Sequence, residues 1–230
     1  LQCSLAELVG DVTTSSPEWL LIRELLEGRS EADLRRARIA IGELLGTAAS
    51  DPARQRRIAL VGLRGAGKST LGQMLADDLD VPFIELSREI EKFAGCSVRE
   101  IHDLYGTNAY RRYERRALEE TVQIYSEVVI ATPGGIVSDP ATFNELLAHC
   151  TTVWLQAAPE EHMGRVRAQG DTRPMAASKE AMEDLRRILQ GRAAFYSKAD
   201  LKVDTSGRDL AASFELLRST VRANMGQAHA

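Results

Sequence analysis

The chain has 230 residues, 44% of them hydrophobic and 27% charged, with a formal net charge of −4. These values describe a globular chain with room for one α/β domain and a small extra element; they exclude a fibrous or disordered chain and an overall basic surface for nucleic acid. Charges interrupt every apolar run before it reaches the length of a membrane span, no secretion signal opens the chain, and Cys3, Cys96 and Cys150 show no metal-ligand spacing, so a reduced, cytoplasmic setting without membrane contact is expected.

The first residue is Leu1 rather than Met, which suggests a piece of something longer. Two helices are predicted first. "SSPEWLLIRELLEG" offers Ser16 as N-cap, Pro17 at the first helical position and Gly28 as a stop. "SEADLRRARIAIGELLG" offers Ser30 with Asp33 three residues on, a capping-box pattern, and ends at Gly46. Leu21 and Leu25 in the first, and Leu34, Ile41 and Leu45 in the second, recur at helical spacing. Two such helices bury no core by themselves, so their apolar faces are expected to pack on the following domain or on a second copy. Trp19 reads as an anchor for the first helix, and Arg35, Arg36 and Arg38 as the polar side of the second. The small and polar run 47–55 reads as a linker.

From Arg56 onward short β-rich runs (58–63, 83–86, 128–131, 152–156, 201–205) alternate with helical segments (68–79, 110–126, 140–148, 159–168, 179–198), and a last helix begins near Asp209. Strands alternating with helices imply an α/β fold, a parallel sheet with helices on both faces.

Within this pattern, Gly62, Gly67, Lys68 and Ser69 match G-x-x-x-x-G-K-[ST], with a strand before and a helix opening inside the motif. Glycines let the backbone turn its N–H groups inward, the helix N-terminus adds partial positive charge, and Lys68 adds a full one. The Ser69 hydroxyl suits Mg²⁺. Gly62, Gly65, Gly67, Lys68, Ser69 and Thr70 are therefore candidate phosphate ligands. His102 and His149 read as packing or surface residues, while His162 and His229 carry no signal.

Residues 56–222 resemble shikimate kinase in five ordered motifs: "GLRGAGKST", "FIELSREIEKFAGCSVREIHDLYGTNAYRRYE", "ATPGGIV", "GDTRPM" and "GRAAFY". The resemblance implies a P-loop kinase-like sheet of five parallel strands. It implies that Arg111 and Arg192 face a substrate carboxylate, that Gly134 and Gly135 flank the substrate, that Arg173 covers the transferring phosphate and that Arg208 falls near adenine. ATP and Mg²⁺ would then be bound, with Lys68, Glu85 and Arg173 as the catalytic set. The sequence departs from the family on the acceptor side. Its acidic D-x-D pair reads Glu85-Leu86-Ser87, so a serine stands where the base belongs, and Pro133 replaces the first glycine of the triple. No shikimate kinase turnover at ordinary enzyme rates is expected from such a site.

"SPEWLLIRELLEGRSEADLRRARIAIGELLG" and "TVWLQAAPEEHMGRV" resemble a second family, the benzoyl-CoA-responsive transcriptional regulators, which join a helix-turn-helix domain to a shikimate-kinase-like domain. That resemblance implies a helix-turn-helix tail at 1–15, a helical linker at 16–55 and a ligand-binding domain at 56–230. It further implies DNA contact through an upstream domain, a homodimer, and an acyl-CoA effector such as benzoyl-CoA with its pyrophosphate or 3′-phosphate in the cradle. Sensing without catalysis is the expected function, and an ATP-dependent small-molecule kinase is the alternative.

Overall fold

The computed structural model describes residues 16–44, 53–162 and 179–227. The expected tail at 1–15, the start of the linker, the end of the second helix at Gly46 and the expected lid with Arg173 lie outside them. The chain divides into two compact units, Leu1–Ala49 and Ser50–Ala230.

In the first unit, α1 spans Pro17–Leu26 and α2 spans Glu31–Leu44. Pro17 opens α1, but the Ser16 side chain makes no capping bond. The Ser30 cap does form: the Asp33 amide donates to its hydroxyl at 3.2 Å, and the hydroxyl donates to the Asp33 carboxylate at 2.6 Å. Leu20, Leu21, Ile22, Leu25, Ile41 and Leu44 remain exposed.

The second unit is built on five parallel strands in the order β2-β3-β1-β4-β5: β1 Arg57–Val61, β2 Phe83–Glu85, β3 Val128–Ala131, β4 Thr151–Gln156 and β5 Leu201–Asp204. Every residue of β1 and β3 is buried, as expected of central strands covered on both faces. Around the sheet run α3 Lys68–Leu79, α4 Leu86–Ala94, α5 Gly106–Ile124, α6 Pro140–His149, α7 Lys179–Tyr196 and α8 Leu210–Gln227. Alternate residues of β1 serve two cores. Ala59 and Val61 pack with Leu86, Ile90, Leu118, Phe143, Leu146, Leu185 and Tyr196, from α4 to α7. Ile58 and Leu60 pack with Leu71 and Leu75 of α3 and with Leu217 and Val221 of α8.

Strand positions agree with the alternating pattern, and the shikimate-kinase-like five-stranded architecture is present. Two stretches differ from expectation. Helix α5 begins at Gly106 rather than 110. Ahead of it, α4, a turn at Val98–Glu100 and a π-helical turn at Ile101–Tyr105 fill a stretch to which the hydrophobic pattern assigned nothing. A capping box supports the second of these: the Glu100 amide donates to the Ser97 hydroxyl at 3.2 Å, and the Ser97 amide to the Glu100 carboxylate at 2.8 Å. Among the described residues no helix is long and apolar enough to cross a membrane.

The chain leaves β1 for β2, returns to β3 beside β1, then crosses to β4 on the other side. This reversal opens a crevice at the carboxyl end of β1, where open parallel sheets bind ligands.

Candidate active site

The crevice is floored by the glycine-rich turn. Gly62 follows β1 with φ +146°, and a Cβ there would sit 2.5 Å from the Leu155 carbonyl oxygen, so only glycine lets β1 end this close to β4. The loop then winds through Gly65 and the left-handed Gly67, which caps α3 without any side-chain hydrogen bond. The first turn of α3 thus meets the cavity with its positive dipole end and its amides uncovered by a side chain.

Lys68 is buried, and its ammonium donates to the carbonyls of Gly62 and Leu63, both at 2.8 Å. Burial pushes its pKa down to about 8; the Glu85 carboxylate opposes the shift and Arg64 adds to it. A bound polyphosphate would relieve this by supplying the missing counter-charge.

The cavity measures about 390 Å³. Its lining has two parts by chain origin, a wall from the glycine-rich loop and α3 (Arg64, Gly65, Gly67, Lys68, Ser69 and Thr70) and a wall from later segments (Glu85, Ser87, Val98, Tyr110, Thr132, Pro133 and Gly134). Glu85 ends β2, and the Ser87 hydroxyl donates to its carboxylate at 3.2 Å. The Thr132 hydroxyl ties the end of β3 to the Leu60 carbonyl at 2.8 Å. At Gly134 a Cβ would come 2.9 Å from the Arg64 nitrogen, so the two strand ends touch through glycine.

Behind the second wall sit two cationic groups. Arg192 and Tyr196 of α7 both donate to the Gly134 carbonyl, at 3.1 and 2.7 Å. Arg111 pairs with the fully buried Glu114 at 2.5 Å, and the Tyr110 hydroxyl donates to the other carboxylate oxygen at 3.0 Å. Burial raises the pKa of Glu114 while Arg111 and Tyr110 pull it down. Burial, reinforced by Glu114, raises that of Tyr110, which stays a neutral donor. The His102 ring stacks on Tyr110 at 4.5 Å, and the Arg111 guanidinium lies against Gly135.

The expected residues Gly65, Gly67, Lys68, Ser69, Thr70, Glu85 and Gly134 therefore share one cavity. Three of the expected arginines sit outside its lining. Arg111 and Arg192 do not line it; Glu114 holds the first, and the second is spent on the Gly134 carbonyl. Arg208 is exposed after edge strand β5, which β4 separates from β1. Tyr110, Glu114, Tyr196 and His162 were not singled out. For Tyr110 and Glu114 the i,i+4 spacing was a usable signal. His162, 1% exposed with Nδ1 at 3.1 Å from the Arg64 carbonyl, had none, because 98 residues separate the pair.

Among the described residues no three His, Cys, Asp or Glu side chains cluster as a metal cage. The oxygen donors Ser69 and Glu85, which both line the cavity, fit Mg²⁺, which keeps most of its waters and binds with substrate phosphates.

A family model for shikimate kinase matches residues 64–222. A shikimate kinase of Synechococcus sp. is 39% identical over 148 residues, covering 64% of this chain and 75% of that protein. A shikimate kinase of Gloeobacter violaceus is 38% identical over 159 residues, covering 69% and 89%. The solved structure of shikimate kinase from Acinetobacter baumannii in complex with shikimate superposes with a TM-score of 0.64 at 25% identity, covering 75% of this chain and 94% of that one. These matches overturn the expectation of a DNA-binding, benzoyl-CoA-responsive transcriptional regulator: family model, relatives and fold all point to a P-loop kinase. With more than half of its length matched, the chain belongs to the shikimate kinase family.

Proposed function

We propose that the second unit is an ATP-dependent phosphoryltransferase acting on a hydroxyl of a small, carboxylate-bearing acceptor such as shikimate. The observation that carries this reading is one cavity in which the phosphate-binding first turn of α3 faces Glu85, Ser87 and Gly134. The loop amides and Lys68 bind the β- and γ-phosphates, and Ser69 and Glu85 hold the hydrated Mg²⁺. That ion, when bound, neutralises charge developing on the phosphates. The acceptor sits between Ser87, Tyr110 and Gly134, with the Arg111 cation behind Gly135 as a source of attraction for its carboxylate. A coupled assay with ATP, Mg²⁺ and shikimate, together with calorimetric titration of ATP, tests the proposal. ATP binding with turnover below the ordinary range of roughly 1–10³ per second is expected, and absence of ATP binding sinks it.

A second reading, a phosphate-binding domain that holds its ligand without turnover, is favoured by Ser87, whose hydroxyl is no base near neutral pH. ATP binding with no turnover, even after Ser87→Asp, selects it.

A further inference from the structure

One buried ionisable side chain takes no part in the chemistry above. His162 lies in the helical residues 159–162 that follow β4, and its Nδ1 points at the Arg64 carbonyl in the middle of the phosphate loop. A carbonyl oxygen only accepts, so Nδ1 carries the proton. The turn beneath it is anchored elsewhere as well: the Glu161 carboxylate accepts from the Gly207 amide at 2.6 Å, and the His162 amide donates to the Ala158 carbonyl at 3.1 Å. The imidazole is therefore presented from a fixed base.

The bond matters because of the peptide unit it holds. The carbonyl of Arg64 and the N–H of Gly65 belong to one trans peptide and point in opposite directions. Gly65 lines the cavity and has φ +78°, a conformation that glycine leaves with little resistance. A lock on the Arg64 carbonyl is thus a lock on the direction of the Gly65 amide. On the other side of the same residue the Arg64 nitrogen abuts Gly134.

We propose that His162 is a positioning residue for the phosphate cradle: its Nδ1–H holds the Arg64 carbonyl and thereby keeps the Gly65 amide turned toward a bound phosphate. The inference rests on the cradle binding phosphates, and not on turnover.

The test uses the full chain, with ATP and inorganic pyrophosphate, each with Mg²⁺, as calorimetric probes. His162→Ala removes the donor and is expected to weaken both probes about 5- to 50-fold. His162→Asn offers an amide N–H near the place of Nδ1 and is expected to stay within about threefold of the unchanged protein. Nitrogen-15 shifts of the unchanged imidazole are expected to show the Nδ1–H tautomer. Three results would each overturn the inference: His162→Ala binding like the unchanged protein, Asn rescuing no better than Ala at matched thermal stability, or an Nε2–H tautomer. If His162→Ala fails to fold, the Asn variant and the tautomer carry the test. If the unchanged protein binds neither probe, the proposed function fails, and the tautomer alone decides the fate of the Arg64 contact.

Discussion

The two walls of the cavity are made of different material. The phosphate wall is mostly backbone: the turn from Gly62 to Gly67 and the first amides of α3, with Lys68 as its buried charged side chain. The acceptor wall is mostly side chain: Glu85, Ser87, Tyr110 and Thr132 around the rigid Pro133. A backbone site survives sequence change as long as its glycines and its helix start persist. A side-chain site changes its chemistry one residue at a time, which is where Ser87 and Pro133 depart from the family pattern.

The comparison breaks hardest at Lys68. Lys68→Ala is expected to weaken ATP and pyrophosphate alike by about 2–5 kcal/mol, or roughly 30- to several-thousand-fold, as read by calorimetry. Equal binding with and without Lys68 would mean that the phosphate wall is not where phosphate goes.

On the facing wall, Ser87→Asp restores a carboxylate next to Glu85. Steady-state assays are expected to show kcat raised about 10²-fold with ATP affinity changed little, since a positioned base contributes at least that order. A matching change in ATP affinity would show that the two walls are not separable.

A smaller effect comes from pH. Lys68 has a pKa of about 8 in the empty cradle, below the ordinary lysine value. Below pH 8 it is already charged, and ATP affinity should be flat on its account. Above pH 8 it must take up a proton on binding, so affinity should fall by up to about tenfold per pH unit while ATP binding consumes protons. Titration at pH 8.5 in two buffers of different ionisation enthalpy measures that uptake; none would place the phosphate away from Lys68.

The smallest effect on the cavity is expected from removing residues 1–46. The exposed Leu21, Leu25 and Leu44 suit a contact between two copies of the chain, a homodimer built on α1 and α2. Sedimentation should show the particle falling from two copies to one, with ATP affinity unchanged. An unchanged stoichiometry would remove the helices from any role in assembly.

The parts of this molecule readable in sequence are those written in local patterns. The strand-turn-helix at 58–79, the alternation of β and α, and the Ser30 cap depend on neighbours a few residues away. Glu85 and Ser87 were placed by resemblance to the family's acidic pair at the end of a strand. What escaped were contacts between distant segments. The Tyr196 hydroxyl on Gly134 spans 62 residues, and His162 on Arg64 spans 98. The Arg111–Glu114 pair, three residues apart on α5, was by contrast a local signal left unread. The turns between Val98 and Tyr105 were hidden because a capping box and a π-helical turn organise them, whereas the buried Leu86 and Ile90 of α4, four residues apart, were a helix signal left unread.

The near-collision of Gly62 with the Leu155 carbonyl has a consequence for how the protein is made. Strand β1 leaves the ribosome early, but both of its partners, β3 and β4, follow roughly seventy to a hundred residues later, as their pairings with β1 show. At a synthesis rate of about 5–20 residues per second, the glycine-rich turn waits several seconds without the strand that shapes it. Until residue 155 has emerged, the glycine-rich turn lacks the carbonyl against which Gly62 packs. Under the proposed function, nucleotide would therefore stabilise the finished domain, because its seat forms only once strands so distant in sequence have paired.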